Sequence, residues 1–280
     1  MKPIIYQLLP RTFTNYNETR RHRGSMQENG CGTLNAITPK ALNAIRDLGA
    51  THVLYTGIIR DATAAYNNPS IVKGLAGSPY AITDYYDVHP DLCEDKRRRM
   101  KEFTDLVERT HKAGMDVIID FVPNHVSRDY GKINHSAGHP VLGAEDDKTV
   151  HWKSENDFFY YPGQALTLPT PVPQGMESYV EIPAMATGNN CYSPSPGIND
   201  WYETVKINYG DCHTATWDKM WDIIDFWSGK GVDGFRCDMV ELVPPEFFKW
   251  LIETALKAGW TQEQAEKEFS IRIVKEYESK

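Results

Sequence analysis

The chain has 280 residues, 41% of them hydrophobic, and a formal net charge of -8 at pH 7. This length and apolar content suffice to bury a sizeable core, so the composition excludes a disordered chain and allows one large α/β domain or two smaller units. The negative charge argues against nucleic acid as a partner, because phosphate binding needs a basic face. The basic cluster at 96–99 begins a predicted helix and is interpreted as a solvated helix face.

The N-terminal segment and the cysteines favour a cytoplasmic protein. One lysine and a brief apolar run, interrupted by Pro10 and Arg11, are too short for the hydrophobic part of a signal peptide or for a membrane span. The five cysteines lack the paired spacing of a disulfide or zinc framework, which fits a reducing compartment. We therefore predict a cytoplasmic protein without a membrane partner, although a secreted chain that had lost its leader would show the same pattern.

Short apolar strands alternate with helical stretches along the chain. In chain order, the pattern predicts a strand at 4–7, a helix at 39–48, a strand at 51–55, a helix at 97–113, a strand at 117–119, a helix at 216–228, a strand at 234–238 and a helix at 245–258. Gly49, Gly114 and Gly231 stand where helix C-caps are expected. Such alternation is typical of parallel strands that close into a barrel, with the site at their carboxyl ends.

Two predicted strands end in polar side chains. The strand at 117–119 leads to Asp120 and His125, and the strand at 234–238 contains Arg236 and Asp238. Alternate residues of a strand face the same side, so Arg236 lies beside Asp238. A neighbouring guanidinium favours the ionised carboxylate, which suits nucleophilic attack. A structural ion pair would give the same local pattern, but two polar strand ends together favour one shared site.

At these residues the chain resembles the α-amylase family of glycoside hydrolases and transglycosidases. The family's first signature, an Asp followed by Asn-His after the third barrel strand, is matched by Asp120, Asn124 and His125. The second signature, Gly, an apolar residue, Arg, any residue and Asp at the end of the fourth strand, is matched by 234–238. The segment 83–87 is similar to the loop after the second strand.

The resemblance runs from Pro3 to about Trp250 and implies an α/β fold, a (β/α)8 TIM-type barrel with an inserted domain B. The expected units are 1–125 with barrel strands one to three, 126–206 as domain B, 207–258 with strand four, and 259–280 as a divergent tail. The barrel is thus expected to be truncated after the fourth strand and its helix. Exposed edges of a half barrel favour self-association.

The resemblance also implies roles for individual residues. Asp238 is the expected nucleophile, which forms a covalent glycosyl intermediate, and Arg236 keeps it ionised. His125 is expected to hydrogen-bond the sugar, and Asp120 to support the strand end through hydrogen bonds that include Arg236. Tyr80 matches a tyrosine that stacks on the sugar, although a packing role fits it equally well.

Retaining hydrolysis needs a second carboxyl group about 5 Å from the first, protonated so that it can donate to the leaving oxygen. In the family a Glu at the end of the fifth strand provides it, but no buried strand precedes the glutamates of 261–268 here. Glu276 follows a possible strand at 270–274 and is a weak candidate, because a glutamate near a charged terminus is usually solvated. We therefore expect an incomplete catalytic domain.

The family also binds calcium between domain B and the barrel, through the signature Asn, here Asn124, and an Asp of domain B. In the matching segment 204–209, Lys206 occupies the position of that Asp. Lysine cannot ligate calcium, which needs oxygen donors, but an ammonium group can replace the charge of the ion. We expect no calcium at this site and no other metal or cofactor.

The leading hypothesis is a retaining glycoside hydrolase that acts on α-glucosidic bonds of maltodextrin or starch-like substrates, with an α-glucan or malto-oligosaccharide as its partner. The alternative is a non-catalytic carbohydrate-binding or assembly fragment of such a protein. A third hypothesis, a hydrolase that uses Asp120 with His125 on other substrates, leaves Arg236 and Asp238 unexplained.

Overall fold

The computed structural model of the chain describes residues 2–260, apart from 133–135, 137 and 173. The strands are β1 (Ile5–Leu8), β2 (His52–Tyr55), β3 (Ile59–Asp61), β4 (Ile82–Val88), β5 (Asp116–Phe121), β6 (His125–Ser127), β7 (Tyr160–Tyr161), β8 (Ala184–Met185), β9 (Thr204–Lys206) and β10 (Gly234–Cys237). The helices are α1 (Pro10–Phe13), α2 (Met26–Asn29), α3 (Pro39–Asp47), α4 (Arg99–Lys112), α5 (Ala215–Ser228) and α6 (Pro245–Lys257). In the part of the chain so described, no helix is long and apolar enough to cross a bilayer.

One parallel sheet organises the molecule, with its strands in the order β1, β2, β5 and β10. Parallel neighbours need long crossover connections, and α3, α4 and α5 lie in the connections between successive strands. This arrangement confirms the predicted alternation of strands and helices. Within the described ranges the sheet is open, with β1 and β10 at its edges, and does not close into a barrel.

The helices pack on the sheet through apolar stripes. On α4, Phe103, Leu106 and Val107 are buried at helical spacing. Trp227, near the end of α5, is fully buried and meets the ring of Phe103 edge-on at 5.3 Å between centroids. The indole Nε1 of Trp227 donates to the carbonyl of Tyr85 at 2.7 Å. The polar atom of this large core side chain is thus satisfied, and α4, α5 and β4 meet at one point.

The predicted strands and helices of the sheet are confirmed to within two residues at each boundary. Gly49 and Gly114 follow α3 and α4 with φ angles of 92° and 81°, a conformation that favours glycine, as the predicted C-caps require. Gly231 also has a positive φ angle, 88°, but it lies one residue further from its helix than the other two, because the residue that caps α5 is Gly229.

The segment 83–87, expected in a loop, lies within a strand. It belongs to β4, which pairs antiparallel with β3. Every residue of β4 is buried, so its backbone groups need partners inside the protein, and strand pairing provides them. The hydroxyl of Tyr85 donates to the carbonyl of Val122 at 2.5 Å, which joins this strand pair to the end of β5. The connection after β2 is therefore ordered, and Tyr80 precedes β4 within it.

The insertion between β5 and α5 leaves and returns through neighbouring strands, because β6 and β9 pair antiparallel. Inside it, the buried guanidinium of Arg128 contacts Glu181 at 2.5 Å and donates to the carbonyl of Tyr202 at 2.5 Å. Buried Asp157 pairs with Lys219 of α5 at 2.5 Å, which connects the insertion to the helix layer. The limits proposed for domain B and for the other units remain predictions, and residues 261–280 of the expected tail lie outside the described residues.

We expect Trp227→Ala to lower the free energy of unfolding by about 3–5 kcal/mol, because it removes a buried indole and leaves a cavity between α4 and α5. The measurement is urea denaturation followed by circular dichroism. Leu48→Ala is the control: this leucine is 74% exposed, so its loss should change stability by less than about 0.5 kcal/mol. Equal effects of the two changes would contradict the proposed importance of this packing point.

Candidate active site

A guanidinium bridges two buried carboxylates at the carboxyl ends of β5 and β10. The parallel register places Arg236 opposite Asp120. Arg236 Nη1 lies 3.1 Å from Asp120 Oδ1 and 2.8 Å from Asp238 Oδ1. The backbone N–H of Asp238 donates to the carbonyl of Phe121 at 2.9 Å and extends the β5–β10 pairing by one residue. The structure therefore brings together the polar ends of both predicted strands.

Burial and charge act in opposite directions on these carboxyl groups. Burial raises the pKa of Asp238 above its ordinary value, and the positive charge of Arg236 opposes that rise. The pKa of Asp120 is likewise raised by burial and lowered in part by Arg236. The guanidinium thus favours the ionised forms, as expected from the sequence, but its effect is smaller than that of desolvation.

Tyr80 faces the same guanidinium. The carbon Cζ of Arg236 lies 5.2 Å from the centroid of the Tyr80 ring, within the range of a cation–π contact. Asp120 has a partner at each carboxylate oxygen: Oδ1 faces Arg236, and Oδ2 accepts a long hydrogen bond of 3.4 Å from the backbone N–H of Gly57. The ring of Tyr80 therefore belongs to this cluster, while its stacking on a sugar remains a prediction.

His125 is buried and carries no charge at neutral pH. Burial, aided by the charge of Lys206, lowers its pKa to about 3. Its Nδ1 lies 3.0 Å from Asn124 Nδ2, an amide nitrogen that can only donate, so Nδ1 accepts and the ring proton resides on Nε2. Trp201, for which the sequence suggested no role, packs with its ring centroid 5.3 Å from that of His125.

Lys206 lies on β9 directly opposite His125. Its buried ammonium group donates to Asn124 Oδ1 and, at 2.6 Å, to the carbonyl of Leu242 after β10. Burial lowers the pKa of Lys206 to about 8, so the group is mainly protonated at neutral pH. Sequence reasoning placed Lys206 beside Asn124 but missed Leu242, because no local pattern reports a contact across 36 residues.

The residues at this position do not fit a calcium ion. Two oxygens suited to a cation, Asn124 Oδ1 and the carbonyl of Leu242, already accept hydrogen bonds from the Lys206 ammonium. A divalent cation there would meet a positive charge. Across the described residues, no group of three or more His, Cys, Asp or Glu side chains is placed to hold a metal ion.

The weak candidate for the general acid, Glu276, lies outside the described residues. Asp120, Arg236, Asp238 and Tyr80 form one cluster, which His125 joins through a hydrogen bond to the Tyr80 backbone. It contains the predicted nucleophile and sugar-contacting groups, and no described residue is assigned as the proton donor.

Comparison with known proteins identifies the family. The sequence model of the α-amylase family's catalytic domain matches residues 7–270 of this chain. The chain belongs to the α-amylase family. By family it is a glycoside hydrolase, and members of this family have the (β/α)8 barrel of which the four-stranded parallel sheet forms a part.

Curated relatives of this α-amylase family chain are distant and longer. Maltase A1 of Drosophila melanogaster is 25% identical over 256 residues, which cover 84% of this chain and 34% of that protein. Trehalose-6-phosphate hydrolase of Bacillus subtilis is 25% identical over 251 residues, covering 86% of this chain and 35% of the relative. The chain thus spans about a third of the length of the curated relatives it matches.

Solved structures show the same fold. An α-amylase from Lactobacillus plantarum superposes with a TM-score of 0.55 at 23% identity, covering 91% of this chain and 43% of the amylase. The cyclic α-maltosyl-(1→6)-maltose hydrolase of Arthrobacter globiformis, in complex with maltose, superposes with a TM-score of 0.57 at 19% identity, covering 91% of this chain and 48% of the hydrolase.

We expect Arg236→Gln to raise the pKa of Asp238, because the substitution removes the positive charge that opposes the effect of burial. Carbon NMR titration of labelled aspartate carboxyl groups measures this, and the Asp238→Asn spectrum identifies the resonance. Arg236→Lys keeps a positive charge and should move the pKa less. The same titration midpoint in all three proteins would show that Arg236 does not control this carboxyl group.

Proposed function

We propose that the chain carries the nucleophile half of a retaining glycosidase site that acts on α-glucosidic bonds of maltodextrin-like substrates. The observation that supports this most is the contact of Arg236 Nη1 with both Asp120 and Asp238 at adjacent strand ends. An isolated structural ion pair needs only one carboxylate. A second carboxylate, Asp120, buried beside Asp238, can keep Arg236 paired during a reaction in which Asp238 loses its charge.

In the proposed reaction, an Asp238 carboxylate oxygen attacks the anomeric carbon of an α-glucoside. A bond forms between the oxygen and that carbon, and the bond to the leaving oxygen breaks as a general acid protonates it. Water then attacks the same carbon and gives its proton to the deprotonated general acid, the bond to the Asp238 oxygen breaks, and the sugar leaves with its original configuration while Asp238 is again a carboxylate. The general acid of the first step is not assigned to any described residue.

Asp120 has a specific part in this proposal. When Asp238 becomes an ester it loses its negative charge, and the half-buried guanidinium of Arg236 would otherwise lose its compensation. Asp120, 3.1 Å from Arg236 Nη1, keeps that charge paired through the reaction. Arg236 and Asp120 thus act as positioning and charge-balancing residues, while Asp238 contacts the reacting atoms.

Tyr80 and His125 fit the sugar-binding part of the proposal. A pyranose presents an apolar C–H face that packs on an aromatic ring, and Tyr80 offers a partly exposed ring beside the nucleophile. The neutral imidazole of His125, protonated at Nε2, has a hydrogen bond to the Tyr80 backbone, which a sugar hydroxyl would have to share or replace. The names of the relatives, among them maltase and α-glucosidase, support an α-glucosyl substrate.

The first test uses α-glucosyl fluoride, whose fluoride leaving group needs little protonation. We expect a glucosyl adduct on Asp238, detected by peptide mass spectrometry, because attack then requires the nucleophile and not a general acid. An adduct should be absent from Asp238→Asn and retained in the control Asp222→Asn, which changes an aspartate on α5.

A folded wild-type protein that forms no adduct but binds maltodextrin would contradict the nucleophile assignment. That result would support the alternative of a non-catalytic carbohydrate-binding fragment. Turnover that persists in Asp238→Asn would point to a hydrolase that uses other groups, such as Asp120 with His125.

We further propose that the Lys206 ammonium takes the place of the family's calcium ion. It is buried, it is charged at neutral pH, and it connects Asn124 beside His125 with the segment after β10. A single positive group therefore joins the insertion to two strand ends of the sheet without a metal.

We expect Lys206→Asp to become stabilised by calcium, because the new carboxylate would join Asn124 Oδ1 and the carbonyl of Leu242 as oxygen donors. The measurement is the melting temperature with and without millimolar CaCl2. The matched control is Lys206→Met, which removes the ammonium without adding a carboxylate and should not respond. A wild-type protein that calcium stabilises as strongly as Lys206→Asp would contradict the proposal.

A further inference from the structure

A separate cavity of about 320 Å³ opens between the insertion and the segment that follows β10. Its lining includes four aromatic residues, Trp152, Phe159, Tyr192 and Tyr209. It also includes two exposed polar residues, Asn190 and Asp211. Its volume lies near the lower end of the range for small-ligand sites, roughly 300–1,000 Å³. The nucleophile cluster around Asp238 does not line it.

Two of the aromatic rings are exposed and held in place. Trp152 is 43% exposed and Tyr192 is 48% exposed. The indole Nε1 of Trp152 lies 3.4 Å from Asn208 Oδ1, and the Asn208 amide is itself fixed by donation to the carbonyl of Asn156 at 2.7 Å. The ring of Tyr192 meets Phe159 edge-on, with 5.1 Å between centroids. Little side-chain entropy is lost when a ligand packs on rings that are already oriented.

The chemistry of this cavity matches a neutral polyhydroxylated ligand. Exposed aromatic faces pack against the apolar C–H face of a pyranose, while amide and carboxylate groups such as Asn190 and Asp211 bond its hydroxyls. The charges do not favour an ionic ligand, because the carboxylate of Asp211 accompanies the ammonium of Lys206 among the lining groups. The mixed lining is also too polar for a lipid chain.

We propose that this cavity is a second carbohydrate-binding site, which holds a segment of an α-glucan on Trp152 and Tyr192. The choice of an α-glucan rests on the proposed function, whereas the recognition of a sugar rests on the cavity itself. Lys206 and Leu242 line the cavity and also contact each other beside Asn124. A glucan bound here is therefore held close to the nucleophile cluster, which raises its effective concentration there.

Isothermal titration with maltoheptaose tests the proposal in an Asp238→Asn background, where the nucleophile is absent. We expect Trp152→Ala to weaken binding about ten-fold or more, which corresponds to the loss of about 1.4 kcal/mol. Trp152→Phe keeps an aromatic face and should retain much of the affinity. Tyr16→Ala is the control, because this tyrosine is 84% exposed and is not among the lining residues.

Adding Tyr80→Ala to the same background separates the two sites. Binding that survives Tyr80→Ala and disappears with Trp152→Ala supports the second site. Unchanged affinity in a folded Trp152→Ala protein, checked by its melting curve, would overturn it, as would equal binding of cellohexaose. If the proposed catalytic function is wrong, Asp238 forms no adduct with α-glucosyl fluoride. That result does not change the dependence of maltoheptaose binding on Trp152, so the two failures can be told apart.

Discussion

The register of β10 on β5 is the constraint on which the candidate site depends. Parallel pairing sets Arg236 opposite Asp120, and the ladder continues to the N–H of Asp238. Because side chains alternate along a strand, a shift of one residue would turn Arg236 and Asp238 to the other face of the sheet. The crossover connections that carry α4 and α5 are joined by Trp227, which packs on Phe103 of α4 and donates to the carbonyl of Tyr85 in β4.

Two cations near the site, the half-buried Arg236 and the buried Lys206, are compensated in different ways. Arg236 has two carboxylate partners and an aromatic ring. The contacts described for Lys206 are with neutral oxygens, an amide and a backbone carbonyl, and its pKa falls accordingly. A guanidinium is charged at any ordinary pH and the two carboxylates raise the pKa of Arg236 further, whereas desolvation without a carboxylate leaves Lys206 nearer its neutral form. Arg236 lies on β10, and Lys206 of β9 contacts Asn124 and Leu242, which follow β5 and β10, so the electrostatics of the site depends on both cations.

Local patterns in the sequence predicted the parallel sheet, its helices and the pairing of Arg236 with Asp238, because these depend on spacing within one element. The start of α4 was predicted less well, at residue 97. The side chain of Asp95 accepts a hydrogen bond from the N–H of Arg97 and holds that residue in a turn, so the helix begins at Arg99. Among contacts between distant segments, those of Asp120 with Arg236 and of Asn124 with Lys206 were expected only through the family resemblance, and the others had no sequence signal. The approach of Tyr80 to Arg236 spans 156 positions, and the cavity beside Trp152 is formed by loops whose courses no periodicity reports.

The hydrogen bonds of Lys206 determine the solution conditions under which the contact between the insertion and the segment after β10 persists. A metal ion that joins two segments is in exchange with the solution, so chelators or dilution remove it. An ammonium group on a side chain is attached to the backbone by covalent bonds and is present at the same local concentration in every medium. The junction between the insertion and the segments after β5 and β10, formed by Asn124, Lys206 and Leu242, therefore depends on the proton activity that keeps Lys206, with its pKa of about 8, in the charged form.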